Sequence, residues 1–448
     1  MRIFSKLEKV QKQAIGLLSI GTFLEYFDLF LYVHMAVLLN ELFFPKGDPH
    51  TQKLLAAFAF STTFVFRPVG ALIFGYIGDT FGRKVTIVIT TFMMAITCLI
   101  MANVPTYAQI GMAAAWIVTM CRVLQGMSSM GEIVGAQLFL TEAIHLPARY
   151  PAVGLIYIFG DLGATTALGI ATLATSYGFN WRMAFWIGAG VALVGSVART
   201  TLRESPEFAD ARRRLESVAE RANSDPTLYK KRGTYDRQKV NKKTTWAYFL
   251  IQCSSPVFFY FTFIYSAQIL KHTFNYAPHQ ILLHNFSLGI FQLFAWSILR
   301  SYLSVKHYPL KILQVAFVGS SVLVLALPFL LNNIQSPFQL FLIQAIMVVF
   351  KANDMPALPL FLRHFPIFKR FTYASFLYAL SRALVYVITS FGLTYLVEYF
   401  GYWGLLLIMV PVLIGYGYGI NYFKKLDLES GRYKQEMNIR ADAAKRLA

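Results

Sequence analysis

The chain has 448 residues, 56% hydrophobic and 14% charged, with a mean hydropathy of +0.51; so few polar side chains cannot clothe a soluble surface of this size. The formal net charge of +19 raises nucleic-acid binding, but the basic residues sit in short segments between long apolar runs, which excludes that class and points to membrane topology. Cys98, Cys121 and Cys253 lie in apolar runs without paired spacing, so neither a disulfide framework nor a zinc site is expected, nor any cofactor.

The first apolar stretch, residues 14–44, is too long for a signal-peptide core and reads as a retained first helix centred near Phe27. Further stretches of roughly 18 to 25 residues, each enough to cross a bilayer, centre near Val65, Met93, Val118, Ala164, Gly190, Phe259, Phe291, Val322, Leu342, Ala383 and Met409. An all-α membrane protein of about twelve transmembrane helices follows, with both ends on one side. Basic residues mark that side as cytoplasmic: Arg2, Lys6, Lys9 and Lys12, then Arg83 and Lys84, Arg149, Arg300, Lys306 and Lys311, then Arg363, Lys369 and Arg370, then the segment from Lys424. The alternate connections, around Asn103, Asn180, Lys271, Asn333 and Glu398, carry few.

The long polar segment divides the chain into residues 1–201, a first six-helix half; 202–245, a cytoplasmic linker; 246–425, a second half; and 426–448, a cytoplasmic tail. Within the linker, Ser205-Pro206-Glu207 has the order cap, proline, acid that starts a helix, here a short surface helix through Arg221. Its Arg212 to Arg214 run faces either anionic headgroups or water.

The segment Gly75-Tyr-Ile-Gly-Asp79-Thr-Phe-Gly82-Arg83-Lys84 resembles the signature loop of the major facilitator superfamily. Gly21-Thr-Phe-Leu-Glu25-Tyr-Phe-Asp28, Phe66-Arg67-Pro68-Val-Gly70, Arg122-Val-Leu-Gln-Gly126 through Gly131-Glu132, and Leu202-Arg-Glu-Ser-Pro-Glu-Phe208 resemble its metabolite:proton symporter branch, which includes proline/betaine, α-ketoglutarate and shikimate carriers. The resemblance covers the first 208 residues; at Ser301 to Lys311, where a second signature loop belongs, the glycines and acid are missing. Thr80 and Met130 also depart from the pattern. The resemblance implies the major facilitator fold in two six-helix halves.

Ionisable groups at membrane depth usually mark a pathway. Glu25 and Asp28 share a face of the first helix; Arg122, Gln125, Ser129 and Glu132 form a stripe on the fourth, Asp161 and Thr165 on the fifth, and Ser375, Tyr378, Arg382, Tyr386 and Thr389 on the eleventh. These stripes imply a shared wet cavity in which Glu25, Asp28 and Asp161 pair with Arg67, Arg122 and Arg382. Glu25, Asp28, Glu132 and Asp161 are the proton-coupling candidates; Arg122, Gln125, Tyr378 and Arg382 are the substrate-binding candidates, the two arginines for a substrate carboxylate. Each pair could instead simply lock helices together. Gly75, Asp79, Gly82 and Arg83 are assigned to gating at the cytoplasmic mouth. Lys351 and Asp354, followed by Pro356 and Pro359, mark a break that is a hinge, a substrate contact or a helix end.

The expected protein is thus a monomeric secondary transporter of a bacterial inner membrane, not an enzyme. Its expected partners are membrane lipid, a proton and a small organic solute. The solute is a zwitterionic osmolyte such as proline or betaine; a dicarboxylate such as α-ketoglutarate is the alternative, and a non-transporting receptor of the same fold is the contrasting class. No nucleophile–base pairing, HExxH or phosphate-binding glycine loop supports a membrane enzyme.

Overall fold

A computed structural model describes residues 4, 7–44, 64–177, 180–222 and 239–445; among them every regular element is helical. Arg2 and Lys6 of the basic N-terminal segment, and residues 223–238 of the polar linker, lie outside the described residues.

The first half contains α1 (Lys9–Phe43), α2 (Arg67–Thr80), α3 (Arg83–Asn103), α4, α5 (Arg149–Tyr177) and α6 (Trp181–Arg199). Helix α4 runs from Met112–Ser129 through a wide turn at Met130–Val134 into Gly135–Ala143. The linker helix α7 is Pro206–Ala222, within a residue of its expected bounds. The second half begins with α8 (Lys242–Phe259, a wide turn at Tyr260–Tyr265, then Ser266–Thr273) and α9 (Pro278–Gln292, a wide turn at Leu293–Ile298, then Leu299–Lys306). It continues with α10 (Pro309–Asn332), α11 (Pro337–Val349), the short α12 (Leu358–Leu362), α13 (Arg370–Phe400) and α14 (Gly404–Glu429); α15 (Arg432–Lys445) follows. All twelve expected centres fall on helix, the second where the description resumes at Phe64.

Local chemistry sets many of the ends. Prolines 206, 278, 309 and 337 open helices where a missing N–H costs nothing. Asn180 and Asn241 accept from Arg182 N at 3.1 Å and Lys243 N at 2.9 Å, capping α6 and α8. In the wide turn of α8, the freed carbonyls of Thr262 and Phe263 accept from Gln344 Nε2 at 2.6 Å and Asn285 Nδ2 at 3.3 Å, so side chains replace the lost helical bonds.

Seven described helical runs are long and apolar enough to cross a membrane. Trp116, Val194, Val322, Phe329 and Ile414 are exposed, as side chains that face lipid should be. Inside the first half, Phe27, Leu31, Phe43, Val118 and Phe185 share an apolar core. The halves meet where α2 packs on α13 and α5 on α9. Small residues allow that approach: a Cβ at Gly75 would collide with Thr372 Cα of α13.

Candidate functional site

Between the halves lies a cavity of about 120 Å³, lined from the first half by Tyr26, Phe30, Arg67, Tyr157 and Asp161 and from the second by Phe259, Gln292, Lys351, Asp354, Tyr378, Arg382 and Tyr386. On α13, Tyr378, Arg382 and Tyr386 recur every fourth residue and so present one face to it. The Arg382 guanidinium sits 3.4 Å over the Tyr378 ring and donates to Gln252 Oε1 at 2.8 Å and Ser381 Oγ at 3.0 Å; among the described residues it makes no ion pair. Asp161 accepts from Gln292 Nε2 at 2.9 Å and from Ser297 Oγ, tying α5 to α9 across the halves. Asp354 accepts from Gln252 Nε2 at 2.8 Å and Tyr157 OH at 3.0 Å. Phe259 packs edge-on against Phe30 at 5.4 Å and Tyr386 at 6.3 Å, giving the cavity an aromatic wall. Three cations, two acids and several π-faces in one cleft can hold both ends of a zwitterion.

A second group is buried inside the first half. Arg122 Nη1 pairs with Asp28 Oδ2 at 2.9 Å and donates to Gln125 Oε1 at 2.7 Å, while Gln125 Nε2 returns to Asp28 Oδ1 at 3.2 Å. The Arg122 guanidinium lies 4.1 Å over the Tyr32 ring. Close by, Glu25 Oε1 is 3.8 Å from Arg67 Nη2, but Glu25 Oε2 and Arg67 Nε have no hydrogen-bond partner among the described residues. Glu132, on the wide turn of α4, pairs with Arg199 and accepts from Thr91; Arg199 also donates to the carbonyl of Leu17 at 3.1 Å, so α1, α3, α4 and α6 meet there.

The basic face carries a third group, and it joins the halves. Arg83, wholly buried, donates to Glu142 Oε1 at 3.0 Å and Oε2 at 3.1 Å, to Asp79 Oδ1 at 3.2 Å, and to the Ile367 carbonyl of the second half at 2.7 Å. Asp79 accepts from the backbone N–H groups of Phe371 at 3.1 Å and Thr372 at 2.8 Å, placing a carboxylate on the positive end of α13. Arg370 answers from the second half, donating to Glu142 Oε1 at 3.1 Å and Glu207 Oε1 at 3.0 Å. Gly82 turns the chain at φ +118°, and a Cβ there would strike the Glu204 carboxylate, which accepts from Arg83 N at 3.1 Å and Lys84 N at 3.2 Å. Burial raises the pKa of Glu204, against the lowering effect of those bonds.

The profile of the sugar (and other) transporter family matches residues 15–285. The chain belongs to that family, within the major facilitator superfamily. The chain is 31% identical over 290 residues to the proline/betaine transporter of Salmonella typhimurium, a match covering 61% of this chain and 55% of that one. It is 36% identical over 201 residues, 42% of this chain and 45% of the relative, to the inner membrane metabolite transport protein YhjE of Escherichia coli. The chain thus spans about half the length of the curated relatives it matches. In fold it is similar to the proton:xylose symporter XylE bound to 6-bromo-6-deoxy-D-glucose, with TM-score 0.73 at 16% identity, covering 90% of this chain and 94% of that one. It is likewise similar to the human organic anion transporter MFSD10, with TM-score 0.64 at 16% identity, covering 93% and 99%.

The twelve site residues read from sequence separate into these three places. Asp161, Tyr378 and Arg382 line the cavity between the halves; Glu25, Asp28, Arg122, Gln125 and Glu132 are buried within the first half; Gly75, Asp79, Gly82 and Arg83 sit at the join of the halves. The acid–base pairing holds for Glu25 with Arg67 and Asp28 with Arg122, whereas Asp161 and Arg382 are each held by amides and hydroxyls. Glu142, Arg199 and Arg370 were missed. Glu142 and Arg199 lie near helix ends, where charge looks solvated, and Arg370 counted only toward topology. Lys351, Asn353 and Asp354 enter the cavity from the break between α11 and α12, which makes that break a lining element. Arg300, counted as a basic connection, is instead a buried helical residue.

Where the second signature loop is missing, a different network stands. Tyr308 OH and Arg363 both bond Asp427 of α14, and Arg363 Nη1 reaches Glu436 of α15 at 3.2 Å. Tyr150 OH of α5 donates to the same Glu436 at 3.1 Å, so α15 bridges the halves.

Proposed function

We propose that the transporter takes up a small zwitterionic osmolyte, such as proline or betaine, together with a proton, across a bacterial inner membrane, with both ends of the chain cytoplasmic. The observation that carries this reading is the cavity shared by the halves. Arg382 and Lys351 supply cations for a carboxylate, and Phe30, Phe259 and Tyr386 supply an aromatic wall, with Asp161 near it, for an ammonium. The relatives described as proline/betaine transporters, and the glycine betaine/proline/ectoine/pipecolic acid transporter OusA of Dickeya dadantii at 33% identity over 214 residues, support the same substrate class.

On this reading Asp28 exchanges its proton against the Arg122 pair, with Gln125 holding both in register; Glu25, Glu132 and Asp161 are the further proton-coupling candidates. Arg122 and Gln125 thus act through Asp28, since neither lines the cavity. Gly75, Asp79, Gly82 and Arg83 gate the cytoplasmic face by closing and releasing the join with α13. The two halves rock about the cavity as a monomer.

A dicarboxylate is the second reading, favoured by one observation. Arg67, Lys351 and Arg382 face the cavity against two acids that are both already held, Asp354 by Gln252 and Tyr157 and Asp161 by Gln292 and Ser297.

The test is uptake of radiolabelled proline, betaine and α-ketoglutarate into proteoliposomes, with and without an inside-alkaline gradient, for the natural chain, Asp28→Asn and Arg122→Gln. Gradient-stimulated uptake lost in both variants is the expected result, and the solute taken up decides between the readings. Ligand binding without flux under any gradient would overturn symport.

A further inference from the structure

We propose that Arg300 is a positioning residue for the solute, acting through the break in the helix formed by α11 and α12; this rests on the transport reading above. Residues 350–357 leave the helical path, and Pro356 and Pro359 lack the N–H groups that could restore it. Carbonyls released at this depth need donors from elsewhere in the protein. Arg300 of α9 supplies them: its Nη2 donates to Val349 O at 3.2 Å and Lys351 O at 2.9 Å, and its Nη1 to Met355 O at 3.3 Å and Asn353 Oδ1 at 3.1 Å.

Those acceptors alternate along the chain from before the break to within it, so one planar guanidinium sets their spacing. Tyr416 OH of α14 donates to the Asn353 carbonyl at 2.7 Å. The consequence falls on the cavity, because Lys351, Asn353 and Asp354 line it. Their side chains enter at the angle that the Arg300 fork imposes on their backbone. Lysine at 300 would keep the charge and lose the fork, since one nitrogen cannot span the four acceptors.

The experiment uses the full chain in lipid vesicles with Cys98, Cys121 and Cys253 replaced by alanine. A cysteine is introduced at Lys351, in the break, or at Thr165, on the cavity wall of α5, and modified with a small charged methanethiosulfonate. Loss of a charge-assisted fork in Arg300→Lys should change the modification rate at position 351 by roughly tenfold and at position 165 by less than about twofold. In the chain with Lys351 and Thr165 intact, the same substitution should raise KM for the transported solute roughly tenfold while the maximal rate per inserted molecule stays within about threefold. Unchanged labelling at position 351, or a KM that stays constant while the rate falls with the amount of folded protein, overturns the proposal. If the Arg300 variants do not insert, Tyr416→Phe decides: a smaller change confined to position 351 supports the proposal, and none overturns it. Labelling needs no knowledge of the solute, so failure of the substrate reading leaves this result standing on its own.

Discussion

Asp79→Asn tests whether the join at the basic face holds the two halves closed there. The two oxygens of Asp79 each accept one backbone N–H at the start of α13, from Phe371 at 3.1 Å and Thr372 at 2.8 Å. These bonds cross between the halves, so they exist only while that face is closed. The Arg83 pair at 3.2 Å lies within the first half and largely cancels between the two states. Asparagine retains one acceptor oxygen and loses the other along with the charge. One charge-assisted hydrogen bond and the interaction with the helix dipole together contribute about 2–4 kcal/mol, which shifts the open-to-closed ratio by roughly 30- to 700-fold. The assay is maleimide labelling of Ser375→Cys in a background without other cysteines, using vesicles that expose the basic face. Ser375 is wholly buried, with its Oγ 3.2 Å from the Ala71 carbonyl of α2 across the join, so it is reached only when the join opens. Asp79→Asn is predicted to accelerate labelling at least about tenfold, and Lys84→Gln, on the same turn, by less than about twofold. Equal rates in the parent and Asp79→Asn would refute the reasoning.

Gly75→Leu should open the same join sterically, because its Cβ would meet Thr372 Cα; faster labelling at position 375 with reduced uptake is expected, and slower labelling would contradict it. Arg382→Lys should raise the KM for a carboxylate solute by roughly 10- to 100-fold, since it loses both the planar fork and the stack on Tyr378; concentration-dependent uptake measures this. Asp28→Asn should abolish stimulation by a pH gradient yet preserve solute exchange between equally loaded vesicles, because the cavity lining is untouched; loss of exchange as well would make Asp28 structural.

Much of the fold was legible because lipid imposes a simple rule: spans must be apolar, long and helical, so even single-residue centres such as Met93 and Val322 fall within helices. The signature loop was legible because Gly75 and Gly82 are required by close approach and by a positive φ, and Asp79 by the helix end it meets. Partners far apart in sequence were not. Nothing in the local pattern around Glu142 or Arg199 distinguishes a residue that answers Arg83 or Glu132 from one that faces water at a helix end. The expectation of one shared wet cavity treated every polar stripe as facing the same centre. Each helix has two buried faces in a bundle, and periodicity alone does not say which one a stripe occupies.

That distinction matters most on α1. Tyr26, Leu29, Phe30 and Val33 line the cavity, following the three- and four-residue steps of one helix face. Asp28 and Tyr32, four apart, lie on the face turned toward Arg122, while Glu25 reaches Arg67 at the cavity's edge. On the proposed reading, proton and solute therefore need not touch. Neutralising Asp28 removes the charge that holds Arg122 at 2.9 Å, and the helix relieved of that pair is the one whose opposite face walls the solute. The same helix packs along α5, which carries Asp161 to its bond with Gln292 in the second half. Coupling then travels by the displacement of packed helices, α1 against α5 and α5 against α9, toward the interface about which the halves must turn.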